Sequence, residues 1–148
     1  MTETTNESTA TMRIVTMRVD SAELLIDNVD TYIKIGSGIV LNISFFQNAT
    51  TEGMRKAVKK LLRLPLLSRG QWGDDHAPES ILDLTPNVDV LIVPQANLVG
   101  KASSSSSGSS ASSIRYNEQA DKDLARRLYS EFCQEISIAA AKALAPPS

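Results

Sequence analysis

Cysteine and histidine occur once each, as Cys133 and His76. A single cysteine excludes an intrachain disulfide framework and a cysteine-rich zinc site, and a single histidine excludes any two-histidine metal motif. No metal or cofactor is expected. Aromatic residues make up only 5% of the 148 residues, so a core must be built from Leu, Ile, Val and Ala. Neither sign of charge is in excess: 15 basic against 17 acidic residues give a net charge of −2. That balance excludes attachment to nucleic acid or membrane by bulk charge, so such contact must come from a local patch. No apolar run approaches the roughly 20 residues that span a bilayer. Residues 1–11 are polar and acidic without a hydrophobic stretch, which predicts a disordered leader, no signal peptide, no membrane association and a cytoplasmic address.

What remains is a chain with 42% hydrophobic residues, enough for one domain over residues 12–148. Alternating or continuous apolar runs predict strands at 13–19, 24–26, 32–35 and 39–46. The last is nearly all apolar, as expected of a central strand covered on both faces. Thr50 or Thr51 offers a helix N-cap, and Met54, Ala57, Val58, Leu61, Leu62 and Leu64 follow at helical spacing until Pro65. Runs at 81–84 and 88–93 predict a strand pair, the second of them central. Nine serines, one glycine and one alanine fill residues 103–113, which predicts a flexible loop. A long amphipathic helix is expected over 118–144, with Leu124, Leu128, Phe132 and Ile136 on one stripe.

Side-chain chemistry is sparse. His76 lies in an acidic stretch beside Asp74 and Asp75, and no nucleophile elbow marks a triad. Cys133 falls on the apolar side of the last helix, where a free cysteine behaves as a small hydrophobe. Arg55, Lys56, Lys59, Lys60, Arg63 and Arg69 fall within a stretch that contains no acid. The first five form a basic helix face opposite Met54, Val58 and Leu61, suited either to phosphates or to ordinary solvation. Pro94-Gln95-Ala96-Asn97-Leu98 follows the 88–93 strand. It is either a simple strand exit or a loop that points backbone amides at a ligand.

Several stretches resemble the D-aminoacyl-tRNA deacylase superfamily, and more closely its animal-type tRNA deacylase branch. Met12-Arg13-Ile14-Val15-Thr16-Met17-Arg18-Val19 is similar to the family's opening strand. Gly38-Ile39-Val40 leading into Phe45-Phe46-Gln47-Asn48-Ala49 resembles a second stretch, and Ser80-Ile81-Leu82-Asp83-Leu84 a third. Pro94-Gln95-Ala96-Asn97-Leu98 resembles the branch's Pro-Gln-Ala-Thr-Leu signature, and Leu128-Tyr129-Ser130-Glu131-Phe132 its Leu-Tyr-Ser-Gln-Phe. The matches run in order over about residues 12–136.

The resemblance implies a layered α/β/β fold, with mixed sheets and two main helices, in a homodimer whose active site lies at the subunit interface. It implies hydrolysis of the ester joining a D-amino acid, or wrongly attached alanine, to the 3′ end of tRNA. No catalytic side chain is implied: backbone groups of Gln95, Ala96 and Asn97 would orient the ester and the tRNA 2′-hydroxyl would assist water. Pro94, Leu98, Phe45 and Phe46 would line the substrate pocket, and Lys56, Lys59, Lys60 and Arg63 would meet tRNA. Two departures stand out. Asn97 replaces the signature threonine, and the C-terminal strands bearing Asn-x-Pro-x-Thr, the chirality-selecting wall, are expected to be absent. The Ser-rich tract also stands where relatives carry a basic loop, with Lys101 and Arg115 at its edges. The alternatives are a catalytically impaired tRNA-binding or dimerisation relative and, more remotely, an esterase using His76.

Overall fold

The computed structural model describes residues 11–68, 75–104 and 114–145, without the side chains of 101–104 and 114–117. Arg69, residues 1–10 of the 1–11 leader and most of the Ser-rich tract lie outside them. The long apolar run forms β4 (Gly38–Phe45), in the middle of a three-stranded sheet. On one side it pairs antiparallel with β1 (Met12–Val19), Met12 opposite Phe45 and Arg18 opposite Ile39. On the other it pairs parallel with β5 (Asp89–Pro94), Ile39 beside Val90 and Ile43 beside Pro94. The strand containing Val90 is therefore an edge strand of this sheet, not the central one expected. Its apolar run reflects burial on both faces, Val90 and Ile92 against the helix-side core and Leu91 and Val93 on the opposite face, rather than a neighbour on each side. At the start of the β4–β5 pairing the backbones crowd: a Cβ on Gly38 would lie 1.9 Å from the carbonyl oxygen of Asp89, so only glycine fits there.

Alternation along β4 sends Ile39, Leu41, Ile43 and Phe45 to one face, where all are buried against the helices. The helix α1 (Thr51–Arg63) begins at Thr50, whose hydroxyl accepts from the Gly53 N–H, and it buries Met54, Val58, Leu61 and Leu62. The long helix α3 (Lys122–Leu144) places Leu128, Phe132 and Ile136 in the same core. It starts four residues later than the spacing suggested, because Asp121 caps it through the Leu124 N–H while Glu118 holds a left-handed φ of 77°. Separate from this sheet are two antiparallel hairpins, β2 (Ala22–Leu25) with β3 (Tyr32–Ile35), and β6 (Lys101–Ser104) with β7 (Ile114–Asn117). The second hairpin was not anticipated. It takes Ser103 and Ser104 into β6, while 105–113 lie outside the described residues.

One predicted strand is a helix. Residues 81–84 form the single turn α2 (Ile81–Leu84), in which Ser80 accepts from the Asp83 N–H and Asp83 accepts from the Ser80 N–H. This capping box satisfies two donors reciprocally, and it outweighs the strand-like alternation of Ile-Leu-Asp-Leu. Among the described residues no helix is long and apolar enough to cross a membrane.

Candidate active site

The site is made by an interruption in the sheet. β5 follows the edge of β4 until the Gln95 N–H donates to the Ile43 carbonyl, 2.8 Å. There the chain turns away into one 3-10 turn, Ala96–Leu98. Further along the same edge of β4 a different segment takes over: the Ala120 N–H donates to the Phe45 carbonyl (3.0 Å), and Gln47 to Glu118 (2.9 Å). Between the departing strand and the arriving segment lies a small, half-open cleft of about 50 Å³. Ile43, Ser44 and Phe45 form its base, Pro94, Gln95 and Ala96 one wall, and Gln119, Ala120, Ala125 and Tyr129 the other.

The turn is held from beneath and from the side. The buried Ser44 hydroxyl donates to the Ala96 carbonyl, 2.8 Å. Arg13, stacked 5.8 Å above the Phe46 ring, donates to the Leu98 carbonyl, 2.5 Å. Within the turn, Leu98 N–H bonds Gln95 O (3.1 Å) and Gly100 N–H bonds Asn97 O (3.1 Å). The N–H groups of Ala96 and Asn97 meet no acceptor among the described residues. Two successive unclaimed donors at a rigid bend are suited to holding an anionic or carbonyl oxygen.

The expected site residues are thus partly gathered. Pro94, Gln95, Ala96 and Phe45 line the cleft. Asn97 is exposed on the turn and Leu98 is half-buried behind it. Phe46 points elsewhere, under Arg13. Lys56, Lys59, Lys60 and Arg63 are exposed on α1, away from the cleft lining. Lys56 is 3.5 Å from Glu52, and Arg55 is 3.2 Å from Glu135. Lys59, Lys60 and Arg63 have no acidic partner among the described residues. His76 is exposed and does not line the cleft.

The helix wall supplies no nucleophile. The Tyr129 hydroxyl donates to the Ile92 carbonyl, 3.0 Å, and burial, together with Cys133 nearby, pushes its pKa up to about 12. Burial also raises the Cys133 thiol, an effect its contact with Tyr129 only partly opposes. Both groups stay protonated near neutral pH, so neither acts as a base or thiolate there.

A family model described as D-Tyr-tRNA(Tyr) deacylase matches residues 15–144. The chain belongs to that family. It is 30% identical over 132 residues to the Leishmania major protein named D-tyrosyl-tRNA(Tyr) deacylase 2, covering 82% of this chain and 66% of that relative. It is 30% identical over 101 residues to human D-aminoacyl-tRNA deacylase 2, covering 68% of this chain and 52% of that one. The chain thus spans about two thirds and one half of these relatives' lengths. A solved structure described as a probable eukaryotic D-amino acid tRNA deacylase superposes with a TM-score of 0.73 at 30% identity, covering 88% of this chain and 69% of that one. The layered α/β architecture expected from the sequence is the fold of that structure.

Sequence reasoning located the 94–98 turn but not Ser44, Arg13, Gln119 or Tyr129. A clue to Tyr129 lay in the Leu-Tyr-Ser run. The others carry no local signal, since their roles arise only where distant strands meet.

Proposed function

We propose that this protein is an aminoacyl-tRNA deacylase, hydrolysing the ester of D-aminoacyl-tRNA or of tRNA mischarged with alanine. The observation that carries the reading is the pair of unclaimed N–H donors at Ala96 and Asn97, beside a cleft, in a chain of the D-Tyr-tRNA(Tyr) deacylase family. The ester carbonyl would sit against those donors, which oppose the charge developing on its oxygen as water attacks. Gln95 and Asn97 would orient the acyl group, with Phe45 packing against it. No side chain at the cleft is placed as a general base, which agrees with assistance by the tRNA's own 2′-hydroxyl. Orientation and amide donors together suffice for an ester that is already activated.

The remaining parts of the reading follow from charge and exposure. Lys59, Lys60 and Arg63, with Lys56 beside them, would contact tRNA phosphates. Val15 and Met17 on β1 are 44% and 57% exposed; a homodimer would cover them. A cytoplasmic address fits a tRNA substrate.

The direct test incubates the protein with D-tyrosyl-tRNA(Tyr) and with alanine-mischarged tRNA and follows ester loss. Turnover of either supports the proposal. Binding without turnover selects the impaired, binding-only relative instead. Replacing Lys59 and Lys60 with Glu is expected to weaken tRNA binding and flatten its dependence on salt; unchanged binding would remove α1 from the interface.

A further inference from the structure

The two flanks of α3 treat charge differently. Ala125 and Tyr129 line the cleft, and Lys122 and Arg126 each precede one of them by three residues. Residues three apart share a helix face, so both cations stand along the cleft side of α3, and both are exposed. The other flank faces α1: there Glu131 accepts from the Thr51 hydroxyl at 3.0 Å and Glu135 from Arg55 at 3.2 Å. The α1 cations therefore lie across α3 from the cleft.

Neither Lys122 nor Arg126 is arranged to steady the helix. Arg127 stands one turn from both Asp123 and Glu131, the opposite-charge spacing that supports an exposed helix. Lys122 and Arg126 stand one turn from each other, a like-charge spacing that weakens it. Neither has an acidic partner among the described residues. Of the nearby acids, Asp121 is engaged as the cap through the Leu124 N–H, and Asp123 pairs with neither arginine. Glu118 is the one opposing charge left on the segment before α3, and no carboxylate lines the cleft. The rim thus keeps a surplus of positive charge that the described fold does not use.

Given the deacylase reading, on which this step rests, a polyanion has to reach the cleft and leave across its rim. The tRNA 3′ end is single-stranded, with a phosphodiester at every nucleotide. Lys122 and Arg126 lie about 6 Å apart along the helix axis, close to the separation of neighbouring phosphates in an extended strand. We propose that Lys122 and Arg126 form a phosphate track for the single-stranded 3′ end of the tRNA, meeting successive phosphodiesters outside the cleft and separately from the α1 face.

The test compares binding of 3′-alanylamido-3′-deoxyadenosine, which has no phosphate, with the same group ending a trinucleotide, which adds two phosphodiesters. At low salt the wild-type protein is expected to bind the trinucleotide about tenfold more tightly. Its log affinity should fall with log salt at a slope of about −1.4, as for two contacts to a single strand. In Lys122→Glu/Arg126→Glu the gain and the slope should vanish while the phosphate-free analogue binds as before. Lys122→Arg/Arg126→Lys, which keeps both charges, should retain the gain, and so should Arg127→Glu, which reverses an exposed charge away from the cleft. A gain that is absent in the wild type, survives the double reversal, or is lost equally in Arg127→Glu overturns the assignment. Ester hydrolysis of D-tyrosyl-tRNA(Tyr) and alanine-mischarged tRNA is scored separately. Turnover without a gain dependent on Lys122 and Arg126 removes this inference and leaves the deacylase reading intact. Such a gain without turnover does the reverse.

Discussion

Two turns in this molecule treat their backbone donors in opposite ways. Between β2 and β3, the Asp27 carboxylate accepts from the N–H groups of Val29, Asp30 and Thr31 at 3.0, 3.1 and 2.9 Å. Hydrogen bonds from Thr31, then from Val29 and Asp30, hold the Asp27 pKa down at about 2. After β5, the turn at Ala96–Leu98 has no such side chain, and the Ala96 and Asn97 donors are left unclaimed beside a cleft. An aspartate can saturate a turn, so unclaimed amides are not an unavoidable result of turning the chain. The first turn serves folding; the second is anchored from outside, through Ser44 and Arg13, so that its own donors stay available.

That contrast can be broken experimentally. The largest effect is expected from Ala96→Pro, which deletes one unclaimed donor. Proline is tolerated at the first position of a helical turn, and Gln95 before it is already non-helical at φ −136°, ψ 81°. Deacylation should fall by about 100-fold or more, the scale of losing one oxyanion donor, with the melting temperature nearly unchanged. An unaffected rate would show that the turn is only a strand exit. Ser44→Ala comes next: losing its buried bond to Ala96 should cost about 1–2 kcal/mol in denaturant unfolding and loosen the turn, with a smaller drop in rate.

Tyr129→Phe removes the bond to the Ile92 carbonyl, and about 1 kcal/mol of destabilisation is expected. It also tests a pH dependence of definite sign. Because the folded-state pKa is raised, from 10.0 to about 12, this phenol's stabilisation is complete below pH 10 and is lost as the pH rises toward 12. Alkaline unfolding curves of the variant should lack that component. The smallest effect belongs to Asp27→Asn. Asp27 is fully exposed and its pKa is lowered, so its contribution holds above the ordinary carboxylate value and disappears as the pH falls toward about 2. The variant should lose amide-exchange protection at Val29, Asp30 and Thr31 with global stability almost unchanged. Global unfolding would mean that the two turns differ less than their hydrogen bonds indicate.

Much of the fold is legible along the chain because its signals are local. The apolar period of α1, the Thr50 cap and the continuous run of β4 each act within a few residues. The error at Ile81–Leu84 arose from ranking alternation above the Ser80 and Asp83 capping pair, although four residues are too few for alternation to outweigh a satisfied cap. The edge position of β5 was not legible, since burial of its side chains comes from layers above and below and looks the same with one neighbouring strand or two. Similarly, Pro94 and Gln95 announce a turn, but nothing near Gln119 announces a wall of the same cleft. Its position depends on the β7–α3 connection meeting the edge of β4 where β5 leaves it.

By itself, then, the order of residues determined the two longer helices, the dominant strand and the bend after β5. These follow from periodicity, capping and composition, which operate over short spans. Tertiary structure alone decided that two amides at the bend meet no acceptor among the described residues, that Ser44 and Arg13 brace it, and that Gln119 comes to line the same cleft. Each depends on which backbone groups of β4 are already taken by partners tens of residues away, and hydrogen-bond partners of that kind are assigned only when the sheet is assembled.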